Sequence, residues 1–141
     1  MDFILQHREL AATFLARVFL GFLFFFQGYD AVFRVKVKNV IQAYERDFAT
    51  HGIPRFMTVI GSWFTSYTEL IGGVLLILGL FQYFALYLLG INLLVASIAF
   101  GMNSPVWDTK YVLPRLFLLI FLLLIPLAWN AWSLDHLIAA H

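Results

Sequence analysis

The chain of 141 residues contains no cysteine, which excludes disulfides, thiol chemistry and cysteine-ligated iron–sulfur or zinc sites. Charge is almost as scarce: Asp, Glu, Lys and Arg make up 12% of the residues, against about 25% in an ordinary soluble domain. The formal net charge of +1 supplies no basic field for nucleic acid. No phosphate-binding glycine loop, nucleophile elbow or HExxH motif is present. Three of the four histidines, His7, His136 and His141, fall on one side of the spans described below, and His51 falls on the other. No pair is therefore placed in the core to ligate a haem, and no metal site is expected. The N-terminal MDFILQHREL lacks a basic n-region, and no small-residue cleavage site follows the first apolar run, which is expected to be a retained span.

What the chain has in abundance is apolar surface: 62% of its residues are hydrophobic and 18% aromatic. A chain this small has too little interior to hide that much from water. Crossing a hydrocarbon core of ~30 Å takes about 20 apolar residues, and four segments qualify: residues 11–33, 56–80, 82–102 and 112–132. The last is interrupted by Pro114, Arg115 and Pro126. Only GLFQY separates the second span from the third, so these two form a tight antiparallel hairpin. Residues 34–54 are polar, with Val40, Ile41, Tyr44 and Phe48 at helical spacing. They read as a short amphipathic helix at the membrane surface or packed on the end of the bundle. The expected fold class is all-α: a four-transmembrane-helix bundle forming a single integral membrane domain over residues 1–141, with the amphipathic segment between its first two helices.

Four spans put both termini and the GLFQY turn on one side, here the terminal side, and residues 34–55 and 103–111 on the other, the loop side. Arg34, Lys36, Lys38, Arg46, Arg55 and Lys110 lie on the loop side. Basic-residue bias therefore predicts cytoplasmic loops and external termini. Trp63, Trp107, Trp129 and Trp132 sit mostly near span ends, as interfacial anchors do, or flank a slot between helices.

From Phe56 to Trp107 the only charged residue is Glu69. A charge at mid-bilayer costs about 2.5–3.5 kcal/mol on insertion scales and normally pairs or lines a cavity. Gly61, Thr65, Glu69 and Gly73 recur every four residues, a small-residue stripe that turns Glu69 toward protein. Arg17, Gly21 and Gly28 share a face of the first span. At 1.5 Å per residue, Arg17 lies roughly 9 Å and Glu69 roughly 16 Å from the terminal-side ends of their spans, within reach of two long side chains. Three states are open to Glu69: a salt bridge with Arg17 supported by Gln27, Tyr67 or Asn92, a ligand or proton site, or an unpaired neutral acid. A second polar group, Asp30, Arg34, Asn103, Trp107, Asp108 and Arg115, is expected at the loop side, tying the 103–111 connection to the bundle.

ARVFLGFLFFFQGYDAVF in the first span, ELIGGVLLILGL in the second and SPVWDTKYVLPRLFLLI leading into the fourth together resemble the DoxX/DoxD-like family, over roughly residues 12–135. The resemblance implies a four-helix inner-membrane protein. The family's name comes from a small membrane subunit of a thiosulfate:quinone oxidoreductase, and many members are accessory proteins without an assigned reaction. Arg17, Glu69 and the Trp107-Asp108 and Arg115 group carry over by position. In many relatives a lysine follows the first-span glycine by three residues; here Ala31 stands there, with Arg34 and Lys36 as the available substitutes.

The function expected is a DoxX-like membrane subunit that anchors or organises an envelope complex without chemistry of its own. The alternatives are a quinone-interacting subunit of an oxidoreductase and a small transporter or channel. The expected partners are the lipid bilayer and either other proteins of a membrane complex or further copies of the chain. No cofactor is expected, a quinone being the one candidate.

Overall fold

The first helix, α1 (Arg8–Tyr29), runs through a leucine-, alanine- and phenylalanine-rich stretch that contains no proline or other internal break. The structure is a computed structural model describing residues 6–104, 106 and 108–140, apart from the side chains of Asp108 and Thr109. At its C-terminus α1 widens into a π-helical turn, Asp30–Arg34, where the Val35 N–H donates to the Asp30 carbonyl at 2.8 Å. Lys36 then takes a left-handed conformation (φ 68°), unusual for a residue with a Cβ, and the chain turns into α2 (Val37–Thr50). This is the expected amphipathic segment: Val37, Ile41 and Phe48 are buried, while Lys38, Gln42 and Arg46 are exposed.

Left-handed Gly52 and extended Pro54 lead into α3 (Arg55–Leu78). Gly79 (φ 66°) ends that helix in a Schellman arrangement: its N–H donates to the Leu76 carbonyl, and the Leu80 N–H donates to that of Leu75. After a turn of only three residues, α4 (Gln82–Asn103) runs back antiparallel. Three stretches are long and apolar enough to cross a membrane: Arg8–Arg34, Arg55–Leu78 and Gln82–Asn103. They match the first three expected spans.

The fourth segment is divided. A π-helical turn, Asp108–Val112, feeds α5 (Leu113–Leu124), with Pro114 in the first turn, where its missing N–H costs nothing. The helix stops before Pro126, which cannot donate to the preceding turn. A 3₁₀ turn, Leu127–Asn130, and a short helix, α6 (Leu134–Ala139), follow. Residues 112–132 are thus a twelve-residue α-helix with irregular flanks, broken before Pro126, one of the interruptions present in the sequence. Ser133 caps α6 by accepting from the His136 N–H, and Asp135 clasps the α3–α4 turn. Its carboxylate accepts from the N–H groups of Phe81 (2.8 Å) and Gln82 (2.9 Å), and its own N–H donates to the Gly79 carbonyl (2.9 Å).

No strand occurs among the described residues, and the molecule is an all-α membrane bundle. Its tightest contact is α1 against α3, antiparallel, with Gly28 opposite Leu70 and Gly73 opposite Phe25. A Cβ on Gly73 would stand 2.5 Å from the Phe25 backbone nitrogen, so only glycine permits this approach. α4 packs on α3, and α5 packs on α1 and α4. In the terminal half Leu20, Phe24, Leu76, Leu86, Leu89 and Leu122 fill the interior with no exposure at all. The loop half has no such plug.

Candidate functional site: Glu69 and the loop-side cavity

α3 carries a polar stripe along one face: Thr58, Ser62, Thr65, Ser66 and Glu69 follow one another at helical intervals. Between α3 and the helices that pack on it, α2 and α4, the stripe is covered only in part. It borders a cavity of about 580 Å³ enclosed by the loop-side halves of α3 and α4, the end of α1, and α2. α2 contributes Tyr44 and Phe48, whose rings stack at 5.4 Å, and α4 contributes the Val95–Met102 region. The walls are mainly apolar and the polar atoms are few, the pattern of a small-molecule pocket.

Glu69 stands at the deep end, 3% exposed. Two neutral amides hold it: Gln27 Nε2 of α1 donates at 3.0 Å and Asn92 Nδ2 of α4 at 3.1 Å. Both bonds land on Oε1, leaving Oε2 without a donor among the described residues on a side chain that lines the cavity. The charge acting on Glu69 is that of Arg115 of α5, with which it makes no ion pair. Arg115 instead donates to the Tyr111 carbonyl and lies over the Phe24 ring, 5.8 Å from its centroid. Burial first, and then the Glu69 and Asp47 charges, raises the Tyr44 hydroxyl above the ordinary tyrosine pKa.

Glu69, Gln27 and Asn92 are therefore brought together as the sequence suggests, but Arg17 and Tyr67 are not with them. Arg17 lies eleven residues before Gly28, about 16 Å along α1. The antiparallel packing sets Gly28, not Arg17, beside Glu69. Arg17 reaches the other end of α3: Nη1 donates to the Leu76 carbonyl (2.7 Å) and the Ile77 carbonyl (3.3 Å), and Nη2 donates to that of Trp132 (2.6 Å). A cation at the carbonyl end of a helix is stabilised by those unsatisfied groups and by the helix dipole. No salt bridge with Glu69 forms. Tyr67 is 40% exposed and stacks on Trp63 at 5.5 Å, one turn away on the outer face of α3.

The loop-side cluster is also dispersed. Asp30 pairs with Arg34 at 3.0 Å across one turn, both exposed, and neither Asn103 nor Arg115 joins them. Trp107 and the side chain of Asp108 lie outside the described residues. Sequence reasoning missed Tyr44, the hydroxyl stripe and the clasp made by Asp135. The spacing of Thr58, Ser62, Ser66 and Glu69 was the available signal for the stripe, although small residues at that spacing equally indicate close helix contact.

The residues that build this site fall within the part of the chain matched by a family model. The model for DoxX covers residues 12–102, from α1 through α4, and includes Arg17, Gln27, Glu69 and Asn92. Neither the curated proteins nor the solved structures contain a match to the chain. With close to two thirds of its length matched and a bundle of long apolar helices around Glu69, the chain belongs to the DoxX family and is a multi-pass membrane protein.

Proposed function

We propose that the protein binds a small lipid-soluble molecule in the loop-side cavity, with Glu69 holding the molecule's polar group. The observation that carries this reading is a carboxylate buried at the end of an apolar cavity of about 580 Å³, with one oxygen already held by two amides and the other free. That volume lies within the ~300–1,000 Å³ typical of ligand pockets. A quinone, bound by a subunit of an oxidoreductase, is the form of this reading that the family resemblance suggests. The filled terminal half favours a site open to one side over a continuous channel. The test is mass spectrometry of small molecules extracted from protein purified in mild detergent. The wild type is expected to carry a ligand that Gly61→Phe excludes, because Gly61 borders the cavity and has open space where a side chain would go. Equal extracts from the two proteins would overturn the proposal.

A second reading, a subunit that anchors or organises an envelope complex, is favoured by the outer face of α2. Lys38, Gln42 and Arg46 lie exposed there at four-residue intervals, with no ion-pair partner among the described residues. Co-purification of proteins from native membranes that is lost when Lys38 and Arg46 are both changed to Glu would support it. Placement in the inner membrane with cytoplasmic loops belongs to both readings.

A further inference from the structure

The cavity is electrostatically one-sided. Among its described lining residues Glu69 is the only acidic side chain, and there is no lysine, arginine or histidine. The groups that face Glu69 from the neighbouring helices are Gln27 of α1, Asn92 of α4, Tyr44 of α2 and Arg115 of α5. Three of these are uncharged. Arg115 is unpaired with Glu69 and is not part of the cavity wall. Seen from inside the cavity, then, there is one carboxylate oxygen without a donor, the stacked rings of Tyr44 and Phe48, and the ring of Phe100. A buried carboxylate is complemented by a cation or a hydrogen-bond donor, and aromatic faces add attraction for weakly hydrated positive charge.

From this juxtaposition we infer that the ligand class is a lipophilic organic cation, a positive charge carried on an aromatic or alkyl body, with Glu69 as its counter-ion. The inference rests on the cavity being a ligand site. An apolar body fits the valine, alanine and methionine walls, whereas a small hydrated inorganic cation would lose its water there without the several oxygens needed to replace it. The charge sits at the deep end. The hydroxyls of Thr58, Ser62, Thr65 and Ser66, none hydrogen-bonded to protein among the described residues, line the way to it.

The test is calorimetric titration of the full chain in detergent micelles with tetraphenylphosphonium, and separately with triphenylphosphine oxide, a neutral molecule of similar shape. Tetraphenylphosphonium is expected to bind. Glu69→Gln should weaken that binding at least tenfold and leave the neutral molecule's binding unchanged. Ala96→Lys, which puts a positive charge in the cavity wall one turn from Asn92 and leaves residue 69 as glutamate, should weaken it likewise and guards against misfolding of the first variant. Equal affinity for tetraphenylphosphonium in the wild type and both variants overturns the inference. So does binding of the neutral molecule alone, which would leave the cavity standing as a ligand site. If neither molecule binds and Gly61→Phe extracts match the wild type, the inference and the underlying site fall together.

Discussion

Among the described residues the bundle buries two charges, and the two halves of the molecule treat them in opposite ways. In the terminal half, Arg17 is buried beside a smaller cavity of about 320 Å³ and spends its terminal nitrogens on three backbone carbonyls from two separate segments. In the loop half, Glu69 is fixed on one oxygen by two amides and borders empty space with the other. A charge whose two terminal nitrogens both close on backbone carbonyls within the fold, with Nε alone left over, is a structural pin. A charge held in place but left incompletely bonded is arranged for something that arrives later. Comparable cost in hydrocarbon thus serves stability at one end and recognition at the other.

The sharpest way to break this contrast is to remove the pin. Arg17→Leu takes the side-chain donor from the carbonyls of Ile77 and Trp132 in a low-dielectric setting and leaves that of Leu76 with the Gly79 N–H. The expected loss is about 3–6 kcal/mol, that of two hydrogen bonds from a charged donor at about 1.5–3 kcal/mol each. It would be read as a collapse in the yield of monodisperse protein or in its unfolding midpoint in mixed micelles. Arg17→Lys keeps the charge and loses the planar fork that serves two segments at once, so it should recover only part of the loss.

Next in size is the interface that sets the register of the two halves. Gly73→Val forces a branched side chain into the Phe25 backbone, with an expected destabilisation of about 1–3 kcal/mol. Gly61→Val, on the same helix with nothing near its Cβ, is the matched control and should change the unfolding midpoint little. Asp135→Ala follows. It removes the carboxylate that accepts from the N–H groups of Phe81, just before α4, and Gln82, its first residue, at a cost of about 1 kcal/mol, typical of a lost cap.

Much of this architecture is legible in the residues alone, and the exceptions have a common cause. Helix ends are written locally: Pro54 before α3, Gly79 after it and Pro126 after α5 all act through their own backbone restrictions. That Glu69 faces protein also follows from the stripe on which it lies. Register is not local. Depth counted from segment ends sets Arg17 within reach of Glu69, whereas the close contacts at Gly28 and Gly73 slide α1 along α3 until Arg17 meets Leu76. The cavity escapes for a related reason. Thr58, Ser62, Thr65 and Ser66 have the same small side chains whether a helix packs on them or nothing does, and only the position of α2 and α4 decides.

Glu69→Gln should barely move stability. The amide keeps a carbonyl oxygen for Gln27 and Asn92, so the expected change is less than about 1 kcal/mol, even where ligand binding is lost. A large drop in the unfolding midpoint would place Glu69 with Arg17 among the structural pins.

The smallest expected effect is a coupling energy. Arg17→Leu combined with Glu69→Leu would restore stability if the two charges neutralised one another, because each single change strands a partner that the double change removes. The structure separates them by the length from Arg17 to Gly28 along α1 and gives them no shared hydrogen-bond partner. Changes at such a distance add within about 0.5 kcal/mol. The double variant should therefore unfold at the midpoint given by summing the single losses, measured in mixed micelles where the weaker protein still folds. A recovery of more than about 1 kcal/mol would mean that the two ends of the bundle communicate through a contact between an acid and a base, and the division of labour between pin and site would be gone.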